Sequence, residues 1–253
     1  MKNTTWIAGS PRTGSMLTFN IAREIFRING GNVKPQHVNK SDAEMIQYFQ
    51  TEACSDVNPS NYYIFKVHTL LKTDLQKSKY IVNIRNPFEI CASFYQFMKC
   101  DINRAITVAK MHLSVVKHFQ NCAENQIIFI RFEDFERNLA STVGKLASFL
   151  NADIDIIIAE QIASKFSKNS VNKLIDTNTR DLEKKISLNQ KIKSESIVRF
   201  SENNYRAFDV NTGFQTGHIS NKNSRDWFKL FSTEEISLIK SELIEHAEKL
   251  GYQ

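Results

Sequence analysis

No apolar run in this 253-residue chain approaches the roughly 18 residues that a membrane-spanning helix needs. Its start, reading to Pro11-Arg12 through Gly9-Ser10, holds no apolar stretch of signal-peptide length. A cytoplasmic protein with no membrane partner is therefore expected. Prolines number four and glycines eight, and there is no repeat, low-complexity tract or Pro/Gly-rich linker, so the expectation is one domain over 1–253. The cysteines Cys54, Cys91, Cys100 and Cys122 form no Cys-x-x-Cys pair and have no His at zinc-ligand spacing. That argues against a disulfide framework and a structural zinc, and reads as reduced thiols with no metal. Hydrophobic residues at 42% and charged residues at 24% set aside a disordered, collagenous or coiled-coil chain.

Charge is present but uneven. The net charge is +6, and residues 165–199 alone hold nine Lys/Arg against four Asp/Glu, a surplus of five. Beyond Phe166 no aromatic interleaves those charges, which favours a solvated face able to attract an anion over a nucleic-acid groove.

Apolar periodicity predicts a strand at Thr5–Ala8, a loop over Gly9–Ser15, and a helix from Met16 to Ile28 stopped by Gly30-Gly31. A helix at Asp42–Thr51 and strands at Tyr62–Val67 and Tyr80–Ile84 follow. Pro87 suits the first turn of a helix reaching Met98. Further helices are predicted at Ile102–Gln120, Leu139–Leu150 and Thr233–Leu250, with a strand at Ile127–Arg131. Strands alternating with helices imply an α/β fold, a parallel sheet with helices on both faces. Residues 176–224 read as irregular and polar, a lid over a substrate.

In such a sheet, ligands bind where strand ends meet helix N-termini. Gly9-Ser10-Pro11-Arg12-Thr13-Gly14-Ser15 occupies that place, and its backbone N–H groups together with the helix dipole suit a phosphate. The Gly-x4-Gly spacing is that of a P-loop. Ser15, however, stands where the P-loop has Lys, and Arg12 lies inside the loop. The Tyr80–Ile84 strand ends in Arg85 where a kinase wants an acidic residue for Mg²⁺. A basic residue there suits a second anionic group. Lys66 and His68, two apart on one strand, point to the same face and share a site. The other histidines, His112 and His118 among them, read as structural. Phe88, Phe94, Tyr95 and Phe97 are either an acceptor pocket or core.

Five motifs in one order resemble the cytosolic sulfotransferases, which use 3′-phosphoadenosine 5′-phosphosulfate (PAPS). Pro11-Arg12-Thr13-Gly14-Ser15-Met16-Leu17 is similar to the family's 5′-phosphosulfate loop, with Arg for Lys. Lys66-Val67-His68 resembles its Lys-Thr-His, and Arg85-Asn86-Pro87 with Ser93 resembles its 3′-phosphate motif. Arg131-Phe132-Glu133-Asp134 and Asp226-Trp227-Phe228-Lys229 resemble its Tyr-Glu-Asp and Gly-Asp-Trp-Lys. The departures are Leu17 for an adenine-side Trp, Phe132 for Tyr, and Ser220-Asn221-Lys222 for Arg-Lys-Gly.

The resemblance implies a P-loop-NTPase-like fold and a PAPS-dependent sulfotransferase releasing PAP. Its catalytic residues would be His68, Lys66 and Arg12, with His68 as general base. The nucleotide would be bound by Pro11, Arg12, Thr13, Gly14, Ser15, Met16, Arg85, Ser93, Phe166, Asn221 and Lys222. The expected partner is a small-molecule acceptor, and a compact size fits tailoring of a secondary metabolite. A small-molecule or nucleoside kinase and a non-catalytic nucleotide- or RNA-binding module are the alternatives.

Overall fold

Residues Thr4 to Ala8 of the first strand are buried on both faces, as in a central strand of a parallel sheet. In the computed structural model, which describes residues 3–68, 78–201, 204–219 and 224–252, this strand β1 runs Asn3–Ala8 and leads into helix α1, Ser15–Ile28. Strand β2 (Asn32–Lys34), helix α2 (Asp42–Tyr48, continued by a wider turn at Phe49–Ala53) and strand β3 (Asn61–Val67) follow. Strand β4 (Lys79–Ile84), helices α3 (Pro87–Met98) and α4 (Ile102–Phe119), and strand β5 (Ile127–Arg131) come next. Helices α5 (Phe132–Arg137), α6 (Leu139–Leu150), α7 (Ile156–Lys165) and α8 (Lys168–Ser187) precede strands β6 (Ile197–Ser201) and β7 (Asn204–Ala207). Helix α9, Thr233–Lys249, comes last.

The sheet is parallel and five-stranded, in the order β2-β3-β1-β4-β5. The chain moves from β1 outward to one side and later returns to the other, so β1 ends at a topological switch point. Register fixes what meets there. Ala8 lies beside Val82 and Ile84 beside Arg131, so the turn after β1 and Arg85 after β4 share the carboxyl edge.

By contacts the chain forms two units, one of 1–19, 65–138 and 220–253, the other of 20–64 and 139–219. In the first, α3, α4 and α9 pack Phe88, Ile90, Phe94, Ile106, Ile239 and Leu243 into one core, and Trp227 stacks on Phe88 at 5.1 Å between ring centroids. Caps set where these helices begin. Asn86 accepts from the Phe88 N–H with Pro87 at the first helical position, and Asp101 accepts from the Arg104 N–H. Such caps contribute about 1 kcal/mol each. In the second unit the guanidinium of Arg23, fully buried on α1, donates to the carbonyls of Asn211, Pro35 and Gln36.

The reading of 176–224 as irregular is corrected. Residues up to Ser187 complete α8, and β6 pairs with β7 as an antiparallel hairpin. Helix α8 exposes so many polar side chains that only Val171, Ile175 and Leu182 mark its buried stripe. The sequence reading also passed over β2, too short for periodicity, and α7, whose first turn leaves Ile156 and Ile157 exposed. Among the described residues no helix is long and apolar enough to cross a membrane.

Candidate active site

The turn after β1 needs two unusual backbone positions. At Gly9 a Cβ would lie 2.6 Å from Thr13 Oγ1, closer than side chains approach. Gly14 has φ +90, where a side chain is strained, and its Cβ would meet the Phe132 ring at 3.0 Å. Arg12 also takes a positive φ, 74°, a conformation that costs a non-glycine residue about 1 kcal/mol or more. The buried Thr13 hydroxyl donates to Ser10 O at 2.9 Å and closes the turn. Alternation of left- and right-handed residues ahead of a helix N-terminus turns successive N–H groups inward, a concavity for an anion.

Arg12 leaves that turn toward α3. Its Nε donates to Ser93 Oγ at 3.0 Å, and its guanidinium lies 4.4 Å from the Phe97 ring centroid. Arg85, at 5% exposure, reaches the same turn from β4. Its Nη1 donates to Arg12 O at 2.7 Å and its Nε to Glu89 at 3.1 Å, while the Phe132 ring lies beneath it at 3.8 Å. Burial lowers the Arg85 pKa from its ordinary value, and the Glu89 carboxylate opposes that shift. Arg85 uses only part of its five-donor fork in these bonds, so guanidinium N–H groups remain for an anion. The two arginines therefore meet at one place, the Arg12 turn, where the sequence suggested two pockets at separate strand ends.

His68, one residue past β3, joins the same turn from another side. Its Nδ1 lies 2.7 Å from Gly9 O, and its Nε2 lies 3.0 Å from Lys66 Nζ. A carbonyl only accepts, so Nδ1 carries the proton and Nε2 presents its lone pair. Asn83, on β4, donates to Thr18 Oγ1 at 2.7 Å and ties the start of α1 to the sheet.

Of the residues the sequence singled out, Arg12, Thr13, Gly14, Lys66, His68, Arg85 and Ser93 come together in the first unit. Pro11, Ser15 and Met16 lie on the same turn and at the start of α1. Phe166 is buried at the end of α7 in the second unit. Asn221 and Lys222 lie outside the described residues. Of the four aromatics of α3, Phe88 and Phe94 are core, Tyr95 packs near Phe231, and Phe97 faces Arg12. Sequence reasoning missed Glu89, Phe132 as the surface under Arg85, and His112, whose Nε2 accepts the Arg85 backbone N–H at 3.2 Å. Glu89 was legible as an acid one helical turn after an arginine. His112, 27 residues on, gave no local signal. Among the described residues no three or more His, Cys, Asp or Glu gather in a way that could hold a metal.

A family model, the sulfotransferase domain, matches residues 2–215. The chain belongs to the sulfotransferase family. Two solved structures of retinol dehydratase, one with androsterone and inactive cofactor PAP and one with retinol and PAP, are similar to this sulfotransferase-family chain with TM-scores of 0.60 and 0.61 at 10% and 11% identity. Each covers 96% of the chain, and the match spans 80% and 81% of theirs. Mouse sulfotransferase SULT7A1, solved with PAP, is similar at TM-score 0.60 and 13% identity over 99% of this chain and 88% of its own. At such identities the likeness is one of fold, and it agrees with the P-loop-NTPase-like sheet expected from the sequence. The comparison with curated proteins finds no match.

Proposed function

We propose that this sulfotransferase takes its sulfuryl group from PAPS and passes it to a hydroxyl or amine of a small-molecule acceptor, releasing PAP. The observation that carries the reading is the convergence of Arg12, Arg85 and Ser93 on one glycine-bounded turn, with the Lys66/His68 pair bonded to its first residue. The turn fits the donor: Gly9 and Gly14 let the backbone close tightly against Thr13 and the Phe132 ring, which gives the turn its shape, and the fixed cations are those a doubly phosphorylated adenosine requires. Bound PAPS supplies a sulfuryl group on an anionic leaving group, and the protein contributes position and charge.

Each residue then has a task. The N–H groups of the Arg12–Ser15 turn hold the 5′ end. Arg85 and Ser93 hold the 3′-phosphate. Lys66 and Arg12 offset charge that builds on the 5′ side. His68 accepts the acceptor's proton at Nε2, which becomes available when the Lys66 ammonium turns from it to the donor. A base so placed contributes about 10²–10⁴-fold in rate. To Phe166 we assign adenine, to Asn221 and Lys222 the 3′-phosphate, and to 176–224 a cover over the acceptor, all on the family resemblance and composition. Retinol dehydratase, solved with androsterone and with retinol, supports a small molecule as acceptor, and a secondary metabolite is the proposed class. Four free thiols, with Cys91 pushed up to about 12 by burial, suit the reducing cytoplasm.

Thermal melts with PAP, adenosine 5′-phosphate and ATP-Mg test the reading. PAP is expected to raise the melting temperature well above the other two, by mass action on the folded state. Equal shifts from PAP and adenosine 5′-phosphate would remove the 3′-phosphate site. His68→Ala is expected to keep the PAP shift and to lose sulfate transfer, followed as an 80 Da mass gain on candidate acceptors. Near-normal turnover in that variant would mean that another group is the base.

A further inference from the structure

We propose that His112, in the middle of α4, is a positioning residue for the donor's 3′-phosphate: by accepting the Arg85 backbone N–H it fixes the turn from which the Arg85 guanidinium reaches that phosphate. This rests on the PAPS reading above and extends it to a residue that meets no substrate.

Arg85 stands one residue past the last parallel pair of β4, Ile84 with Arg131, so its amide emerges where the sheet's ladder ends. The residue is buried, and an amide left there without an acceptor would be destabilising. His112, at 0% exposure, brings Nε2 to 3.2 Å from that nitrogen. Glu89, Arg12 O and the Phe132 ring hold the guanidinium, whereas His112 holds the main chain behind it. Asn86 caps α3 immediately afterwards, so the amide sits at the root of the segment that also carries Glu89 and Ser93.

The other ring nitrogen shows what is gained. Among the described residues His112 Nδ1 is buried with no hydrogen-bond partner. Since Nε2 accepts, Nδ1 bears the proton, and a buried orphan donor is unfavourable. An apolar side chain of similar size would fill the space without that burden. Only the acceptor at Nε2 distinguishes the imidazole from such a residue. Burial also lowers the His112 pKa to about 3, so the ring stays neutral and able to accept throughout the working range.

The test compares wild type, His112→Leu and His112→Gln in steady-state sulfate transfer and in binding of PAP against adenosine 5′-phosphate. Gln places its amide oxygen near the position of Nε2, and Leu fills the space without an acceptor. His112→Leu is expected to raise the KM for PAPS and weaken PAP about tenfold, with kcat within about twofold and adenosine 5′-phosphate binding unchanged. His112→Gln is expected to restore most of the PAP preference. A wild-type preference in His112→Leu, or an equal loss of both nucleotides in both variants, would overturn the proposal. A wild type that does not prefer PAP defeats the donor reading instead, a separate result. Should His112→Leu not fold, a scalar coupling between the Arg85 amide nitrogen and His112 Nε2, read by NMR in ¹⁵N-labelled wild type, decides the matter. Its presence supports the anchor and its absence ends it.

Discussion

Among the described residues two arginines are almost completely buried, and their partners differ. Arg23, in the second unit, donates to three backbone carbonyls, those of Pro35 and Gln36 on one segment and Asn211 on another. Burial, helped by the neighbouring Arg27 charge, lowers its pKa to about 10, so it remains charged at neutral pH. Arg85, in the first unit, faces a carboxylate, a ring, one carbonyl of the turn after β1 and, through its amide, a histidine. A fully buried guanidinium that donates to carbonyls of separated segments acts as a strut, since its bonds hold those segments together and it has no exposed face for an anion to reach. A guanidinium matched to one carboxylate at a strand end is held in charge balance and can bind a phosphate without moving. Burial alone therefore does not mark a functional arginine; the chemistry of its partners does.

The largest effect should come from Arg23. Arg23→Met removes charge-assisted bonds from a fully buried guanidinium to three backbone carbonyls and should cost about 4 kcal/mol, a fall of roughly 10 °C in Tm. The molecules that remain folded should bind PAP as wild type does. Calorimetry with and without PAP checks both, and loss of PAP binding in the folded fraction would erase the contrast. Next comes the Arg85 side. Glu89→Leu strands a buried guanidinium and should cost about 3 kcal/mol without nucleotide, part of which PAP should restore. Adding Arg85→Met should bring stability back to within about 1 kcal/mol of wild type, because an apolar pair replaces a buried ion pair. That double variant should no longer distinguish PAP from adenosine 5′-phosphate. If it still does, the 3′-phosphate is read elsewhere.

Local chemistry explains what was legible beforehand. The run Arg85-Asn86-Pro87 carries a strand end, a cap and a first-turn proline, so α3 appears with the bounds its residues predict. Strand β5, an unbroken apolar run ended by Arg131, and helix α6, where Val143, Leu146 and Leu150 recur at helical spacing, likewise match. Residues 176–187, read as irregular, are the last part of α8, whose apolar residues keep a helical spacing but are few, with three buried side chains over twenty residues, so the polar composition hid the helix. In the site, the glycine-bounded turn and the Lys66/His68 pair are short-range patterns and could be read. The Arg85–His112 bond and the Arg12–Ser93 bond join residues 27 and 81 positions apart. Such pairings are decided by how α3 and α4 pack, which no spacing along the chain reports.

The smallest expected effect separates the two arginine regions by pH. His112 is neutral in the fold with a pKa of about 3, and an unfolded histidine titrates near 6.5. Between those values the unfolded chain binds a proton that the folded chain refuses. The contribution from His112 is thus complete above about pH 6.5 and is lost as pH falls toward 3. The first pH unit below 6.5 should remove about 1 kcal/mol, because the unfolded histidine is only half protonated at its start. Carboxylates add their own acid dependence, so the useful quantity is the difference in urea unfolding between wild type and His112→Gln at pH 7.0 and 5.5. Wild type should lose about 1 kcal/mol more than the variant over that interval. Parallel curves would mean that the imidazole is not held neutral behind Arg85. Hydrogen exchange locates the effect: acid should loosen the Arg85 amide and the start of α3 before the α1 turn around Arg23, because the Arg85 amide donates to an imidazole whereas the Arg23 guanidinium donates to backbone carbonyls.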